Sequence, residues 1–247
     1  MEFNDYFSDH SDKYKQYRPH YPGKLFQFIV SKVKARNWAW DCATGNGQVA
    51  QVLSAYFNKV IATDASKKQL NEAEYIPNVH FVKAKAEETG LPDDSMDLIT
   101  VGQALHWFNM DEFFKEARRV LKKDGIIAAW TYQLCSVNED IDRLLNTFYH
   151  EVIGPYWPDE RRLVDEGYRT ISFPFDELEA PEMMMEADWD LEHFLGYIRT
   201  WSAVQQYNEK NNTDPLESFT AYFKNAWGDP NNVRRVYWPI NIRIGKV

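Results

Sequence analysis

The chain has 247 residues, a formal net charge of −9 and 44% hydrophobic residues. This length fits one large domain, or one domain with a cap. No apolar run approaches the ~18 residues of a membrane span, and residues 1–5 are acidic and lack the apolar core of a signal peptide. The negative charge disfavours nucleic acid as a partner. We therefore expect a small-molecule ligand, with neither nucleic acid nor membrane as partner.

The two cysteines, Cys42 and Cys135, form neither a metal-ligand pattern nor a disulfide framework. We expect no bound metal and a cytoplasmic location, where thiols stay reduced. The sequence has no cluster of basic residues beyond five scattered pairs, which predict solvated faces: Lys67-Lys68, Arg118-Arg119, Lys122-Lys123, Arg161-Arg162 and Arg234-Arg235.

Strands and helices alternate along the first 135 residues. Pro22 suits the first turn of a helix, and two capping boxes, Ser66 with Gln69 and Asn109 with Glu112, open later helices. The second of these helices is predicted to run to about residue 121, before a turn at 123–125. Helix periodicity also marks residues 48–56, and strands are predicted at 39–42, 59–63, 79–83, 98–101 and 126–130. This alternation predicts an α/β fold with a doubly wound, mostly parallel, Rossmann-like sheet and helices on both faces.

After residue 131 the pattern becomes mainly helical. Helices are predicted at 138–152, at 191–207 and after Asp214-Pro215, and strands at 183–189 and 235–247. The sheet then has seven strands. We divide the chain into an N-terminal lid and ligand-binding core (1–135), a mainly helical cap inserted before the last strand (136–232), and that strand (233–247). Ligands of such sheets bind at the carboxyl ends of the strands.

A glycine-rich loop follows the first strand as Asp41-Cys42-Ala43-Thr44-Gly45-Asn46-Gly47. Residues 45–50 also fit the dinucleotide fingerprint G-x-G-x-x-G/A, and Asp64 lies about 20 residues on, where a carboxylate binds ribose hydroxyls. Nucleotide and nucleoside ligands are both consistent with these features.

Asp41 discriminates between them. Its carboxylate would repel a pyrophosphate and attract an ammonium or sulfonium, and a charge pair at ~4 Å in a partly buried site is worth a few kcal/mol of either sign. No Lys or Arg lies in the loop to offset phosphate charge. S-adenosylmethionine, which has both cationic groups, is the leading hypothesis. A nicotinamide-dependent oxidoreductase and a non-catalytic S-adenosylmethionine binder remain alternatives.

These motifs resemble those of class I S-adenosylmethionine-dependent methyltransferases. Ala43 replaces the first glycine of the first motif, which a methyl group tolerates if φ is negative. The second motif ends at Asp64, the third is Lys85-Ala86-Glu87, and the fourth runs from 97 to 103. The resemblance implies the following cofactor-binding residues: Asp41, Ala43, Gly45 and Gly47 at the methionine end, Asp64 and Ala65 at the ribose, Ala86 and Glu87 at the adenine, and Gln103 at the end of the fourth strand. S-adenosylhomocysteine would be the product.

A narrower resemblance, to the trans-aconitate methyltransferase-like subgroup with its type 11 domain, rests on residues 14–22, 103–108, 200–204 and 238–240. We hypothesise O-methylation of a small carboxylate. His106 is either a base or orienting group for the acceptor or a packed histidine. We expect Tyr14, Arg18 and Tyr21 to form an N-terminal lid, with Arg18 meeting a carboxylate or a surface ion-pair partner. Trp107, Arg199 and Trp201 are further candidates for substrate contact.

Overall fold

A computed structural model describes residues 17–247, so Tyr14 lies outside the described residues. Its first part alternates as the sequence predicts. The strands are β1 (Trp38–Cys42), β2 (Lys59–Asp64), β3 (Val79–Lys83), β4 (Met96–Gly102) and β5 (Leu121–Tyr132). The helices are α1 (Gly23–Ser31), α2 (Gln48–Leu53), α3 (Lys67–Asn71) and α4 (Met110–Val120).

The remainder of the chain is mainly helical and ends in a long strand. Its helices are α5 (Glu139–Thr147), α6 (Arg161–Asp165), α7 (Leu191–Arg199), α8 (Ser202–Asn211) and α9 (Glu217–Trp227). Its strands are β6 (Asp176–Glu177), β7 (Met183–Trp189) and β8 (Arg234–Lys246). None of the helices within residues 17–247 combines the length and apolar character that a membrane crossing requires.

The strands form one sheet in the order β3-β2-β1-β4-β5-β8-β6, with β7 also paired to β8. The first five strands are parallel to their neighbours, whereas β8 is antiparallel to β5, β6 and β7. The sheet has eight strands rather than seven, because the two-residue β6 is too short to show a periodicity. The strand order reverses between β1 and β4, and the carboxyl ends there form the crevice in which such sheets bind ligands.

Both capping boxes open helices as expected. The Ser66 hydroxyl accepts from the Gln69 N–H at 3.4 Å, and the Asn109 side chain accepts from the Glu112 N–H at 3.5 Å. Side chains at these positions satisfy N–H groups that the first helical turn leaves unpaired.

Three predicted boundaries are wrong. The predicted turn at 123–125 is a bulge inside β5, where Asp124 has a φ of +65° and the register against β4 shifts. Helix 191–207 is two helices, because Trp201 adopts extended backbone and buries its ring. Helix 138–152 ends as α-helix at Thr147 and continues as a wider π-helical turn, Phe148–Val152.

The two faces of the sheet carry separate hydrophobic clusters. One joins sheet residues such as Trp130 to Phe194, Trp227 and Trp238 of the C-terminal part. The other contains Trp40 and the α4 aromatic Phe113. The residues after 136 therefore bury their apolar side chains in the same two clusters as the sheet.

Candidate functional site

The glycine loop leaves β1 through a series of left-handed residues. Ala43, Gly45 and Gly47 have φ values of +53°, +58° and +88°. Ala43 does not have the negative φ at which its methyl group would be tolerated without strain, because the chain turns back toward β2 at once: the Thr44 N–H donates to the Thr63 carbonyl at 2.9 Å. An L residue in this conformation is strained by about 1–2 kcal/mol.

The two glycines of the loop serve different purposes. A Cβ on Gly47 would lie 2.9 Å from the Phe81 ring, so Gly47 allows the loop to pack against β3. A Cβ on Gly45 would meet nothing nearer than 3.8 Å. The loop is therefore open beside Gly45, where a ligand can approach the backbone closely.

Asp64 stands at the carboxyl end of β2 and joins this loop. Its Oδ2 accepts from the Gly45 N–H at 2.9 Å, and its Oδ1 accepts from the Ser66 N–H at 2.8 Å. The side chain is half-buried. An open glycine backbone beside a carboxylate fits the ribose and cationic groups of S-adenosylmethionine.

Asp41 lies beneath the loop and is 1% exposed. The Thr44 and Thr100 hydroxyls donate to its two carboxylate oxygens, the latter at 2.8 Å. Burial raises the pKa of Asp41 to about 7, against the opposing effect of the two hydroxyls, and the charge of Asp64 adds to the rise. In this structure Asp41 shapes the loop and places a titratable charge under it.

The other residues assigned to the cofactor follow β2, β3 and β4. Ala65 is half-buried, Ala86 is buried, and the Glu87 carboxylate accepts from the Asn109 N–H at 2.9 Å. Gln103 has a φ of +56°, and its Oε1 accepts from the Thr131 hydroxyl and the Tyr132 N–H. Gln103 thereby ties together the carboxyl ends of β4 and β5.

A cleft opens beyond these two strand ends and encloses about 620 Å³, including the space at its mouth. Among the predicted residues, Arg18, Gln103, His106, Trp107 and Trp201 line it. No residue of the glycine loop lines it. Unpredicted wall residues are Tyr132, Gln133, Leu134, Trp157, Pro158, Arg161, Tyr197 and Ser202.

His106 is 7% exposed and its Nδ1 lies 2.9 Å from the Tyr168 hydroxyl. Its ring also packs on Trp107, with 4.6 Å between the ring centroids. Burial and the nearby charge of Arg161 lower the pKa of His106 to about 3. The imidazole is therefore neutral and a weak base, which favours an orienting role over general-base catalysis.

The N-terminal segment bridges the sheet and the inserted helices. Arg18 donates to the Tyr132 hydroxyl at 2.8 Å and to the Thr200 carbonyl at 3.3 Å. Tyr21 packs edge-on against Trp130 at 5.4 Å. Arg18 lies on the cleft wall, and Tyr21 lies beside Trp130 of β5.

The arginine that the helical part contributes to the cleft is not the expected one. Arg199 lies outside the cleft, with its Nε 2.8 Å from an Asp214 oxygen. Arg161 lines the cleft, although its dibasic pair suggested a solvated face. Its side chain is 19% exposed, against 74% for Arg162. Neighbouring residues on a helix point about 100° apart, and the sequence carries no signal for which of them faces inward.

Comparisons with known proteins agree with this arrangement. Residues 40–129 match the family described as "Methyltransferase domain". A Dictyostelium discoideum protein named as a methyltransferase is 32% identical over 99% of this chain and 96% of its own length. A Saccharomyces cerevisiae protein, named as an S-adenosylmethionine-dependent methyltransferase, is 25% identical over 83% of each chain.

A solved structure shows the same fold. A protein from Anaeromyxobacter dehalogenans, described as a type II methyltransferase, is 41% identical with a TM-score of 0.87, over 93% of this chain and 97% of that one. Fold, glycine loop and relatives over nearly the full length lead to one assignment: this chain belongs to the class I S-adenosylmethionine methyltransferase family.

Proposed function

We propose that this protein transfers the methyl group of S-adenosylmethionine to a carboxylate oxygen of a small molecule. The main support for a carboxylate acceptor is a pair of guanidinium groups, those of Arg18 and Arg161, on the walls of one cleft. Guanidinium groups recognise carboxylates through paired, charge-assisted hydrogen bonds. The narrower resemblance to trans-aconitate methyltransferase-like proteins supports the same class.

The cofactor would be held by the open backbone at Gly45 and by Asp64, with the buried charge of Asp41 beneath the loop. S-adenosylmethionine supplies a methyl group that its sulfonium already activates. The tasks left to the chain are to align the acceptor oxygen and to exclude water. The aromatic walls of the cleft, among them Trp107, Trp157 and Trp201, suit the second task.

A carboxylate acceptor also agrees with the state of His106. Carboxylic acids ionise near pH 4, so the acceptor oxygen is an anion at neutral pH and needs no base. A hydroxyl or amine acceptor would have to lose a proton, and a histidine with a pKa of about 3 is poorly suited to take it.

The test is a methyl-transfer screen with labelled S-adenosylmethionine against small carboxylic acids, amines and phenols. We expect label in base-labile methyl esters of one or more acids, and none in the amines or phenols. Transfer to amines or phenols alone would exclude the carboxylate as acceptor.

A further inference from the structure

We infer that Arg161 and His106 form an oxyanion-binding site in the cleft, where the terminal nitrogens of Arg161 and the Nε2–H of His106 donate to a carboxylate of the acceptor. This inference rests on the proposed function and names two residues that select the acceptor. The sequence did not identify Arg161 as a site residue, and His106 acts here as a fixed hydrogen-bond donor.

Arg161 is held so that its outer end stays available. Its Nε donates to the Tyr149 hydroxyl at 2.6 Å and to Asp165 at 3.2 Å, and its guanidinium lies 4.5 Å from the centre of the Trp157 ring. Within residues 17–247, Nη1 and Nη2 make no hydrogen bond to the protein. A guanidinium fixed at Nε presents two parallel donors, which match the two oxygens of a carboxylate.

The tautomer of His106 follows from Tyr168, whose side chain is fully buried. The phenol hydroxyl lies 2.9 Å from Nδ1 of His106, and the Thr131 side chain is close enough to act on the pKa of the phenol. Thr131 donates its own hydroxyl hydrogen to Gln103. Buried hydroxyls are hydrogen-bonded as a rule. Donation from the phenol to Nδ1 places the imidazole hydrogen on Nε2.

His106 lines the cleft, and its Nε2 keeps some exposed surface and makes no hydrogen bond within residues 17–247. Arg161 is close enough for its charge to act on the imidazole. A neutral N–H beside a fixed cation attracts an anion, and the cation repels a protonated amine, so these two residues select the charge of the acceptor.

The first experiment measures binding of succinate, as a simple carboxylate probe, to the full chain saturated with S-adenosylhomocysteine, with the neutral succinamide as ligand control. We expect succinate to bind and succinamide not to bind. Arg161→Gln should weaken it at least ~10-fold, whereas Arg162→Gln, a neighbour whose side chain is 74% exposed, should leave it unchanged. Equal affinity in both variants would overturn the inference.

Arg161 also contacts Asp165 and Trp157, so a second variant is used to separate a loss of succinate binding from a loss of folding. Arg161→Lys retains the charge but not the planar pair of donors, and we expect succinate binding between that of wild type and Arg161→Gln. Wild-type affinity in a folded Arg161→Lys protein would show that the paired donors do not bind the acceptor.

The third experiment determines the tautomer of His106 by ¹⁵N NMR of its imidazole in the wild-type protein. We expect the hydrogen on Nε2, and a shift of that signal with succinate but not with succinamide. Tyr168→Phe should leave a mixture of His106 tautomers and weaken succinate binding several-fold. A hydrogen on Nδ1 in wild type, or no response to succinate, would overturn the inference. Failure of S-adenosylhomocysteine to bind in the first place would instead refute the proposed function.

Discussion

Single residues set the shape of the glycine loop. Ala43 adopts a φ of +53°, Asp64 accepts the Gly45 N–H, and Asp41 is enclosed by two threonine hydroxyls. The residue types of this loop were predictable from its motif. The sign of φ at Ala43 was not, because it depends on the hydrogen bond from Thr44 to Thr63 on the neighbouring strand.

Ala43→Gly relieves a strained left-handed conformation and should raise the free energy of unfolding by about 0.5–1 kcal/mol. The gain is smaller than the full strain because glycine increases the entropy of the unfolded chain. Urea unfolding measures the change. The matched control is Ala50→Gly in α2, which should lower stability by about 1 kcal/mol or more. A loss in Ala43→Gly as large as in this control would contradict the strain at Ala43.

Asp41 should make both stability and ligand binding depend on pH. Its folded pKa of about 7 lies above the ordinary value of 3.8, so the folded state holds a proton that the unfolded state has lost. Stability from this group therefore falls as pH rises from about 4 to 7, with a slope of at most ~1.4 kcal/mol per unit. The affinity for S-adenosylhomocysteine, which carries an ammonium, should rise as the pH passes through about 7, where Asp41 of the folded protein ionises.

Asp41→Asn keeps the shape but removes the charge. We expect its stability to lose the fall between about pH 4 and 7 and its S-adenosylhomocysteine affinity to lose the rise near pH 7, with an affinity about tenfold below wild type at pH 8. Chemical denaturation and calorimetry at several pH values measure both effects. An unchanged pH profile in Asp41→Asn would assign the titration to another group.

At the level of elements, the N-terminal segment and α7 are fitted to each other. A Cβ on Gly196 would come within 2.4 Å of the Tyr17 ring, which also packs on His193. Arg18, the next residue, reaches Tyr132 and Thr200. Gly196 is thus a glycine inside a helix whose absent side chain makes room for the segment that borders the cleft.

Gly196→Ala should displace Tyr17 and with it Arg18, while α7 itself gains helix propensity. We expect an increased KM for the acceptor, a near-normal affinity for S-adenosylhomocysteine, and faster proteolysis of the N-terminal segment. Gly23→Ala, where a Cβ would meet nothing within 4 Å, is the control. If the two variants had the same KM for the acceptor, the packing of Tyr17 against Gly196 would have no part in acceptor binding.

The elements also show what the sequence could and could not predict. Strands β1 to β5 and the caps at Ser66 and Asn109 depend on local periodicity and capping chemistry, and they were predicted. The two-residue β6, the helix break at Trp201 and the choice of Arg161 over Arg199 depend on long-range packing, which a single sequence does not reveal.

For the whole molecule, the packing of the inserted helices on the sheet predicts one cooperative unit. Trp238 of β8 is fully buried, contacts Trp189, and its Nε1 donates to the Tyr197 hydroxyl at 3.1 Å. It therefore connects the sheet to α7 within a single hydrophobic cluster.

Trp238→Ala should cost about 3–5 kcal/mol, and unfolding in urea should follow the same curve by far-UV circular dichroism and tryptophan fluorescence. Tyr222→Ala is the control, because Tyr222 is 60% exposed and its loss should change stability by less than about 0.5 kcal/mol. Two separate transitions in the wild type would show that residues 136–232 fold as an independent unit.

Calorimetric titration of the protein with S-adenosylhomocysteine and, separately, with NAD tests most directly which ligand the glycine loop binds. We expect one site for S-adenosylhomocysteine, at least tenfold weaker in Asp64→Ala, and no binding of NAD. Binding of NAD without S-adenosylhomocysteine would contradict this prediction and return the glycine loop to the dinucleotide class.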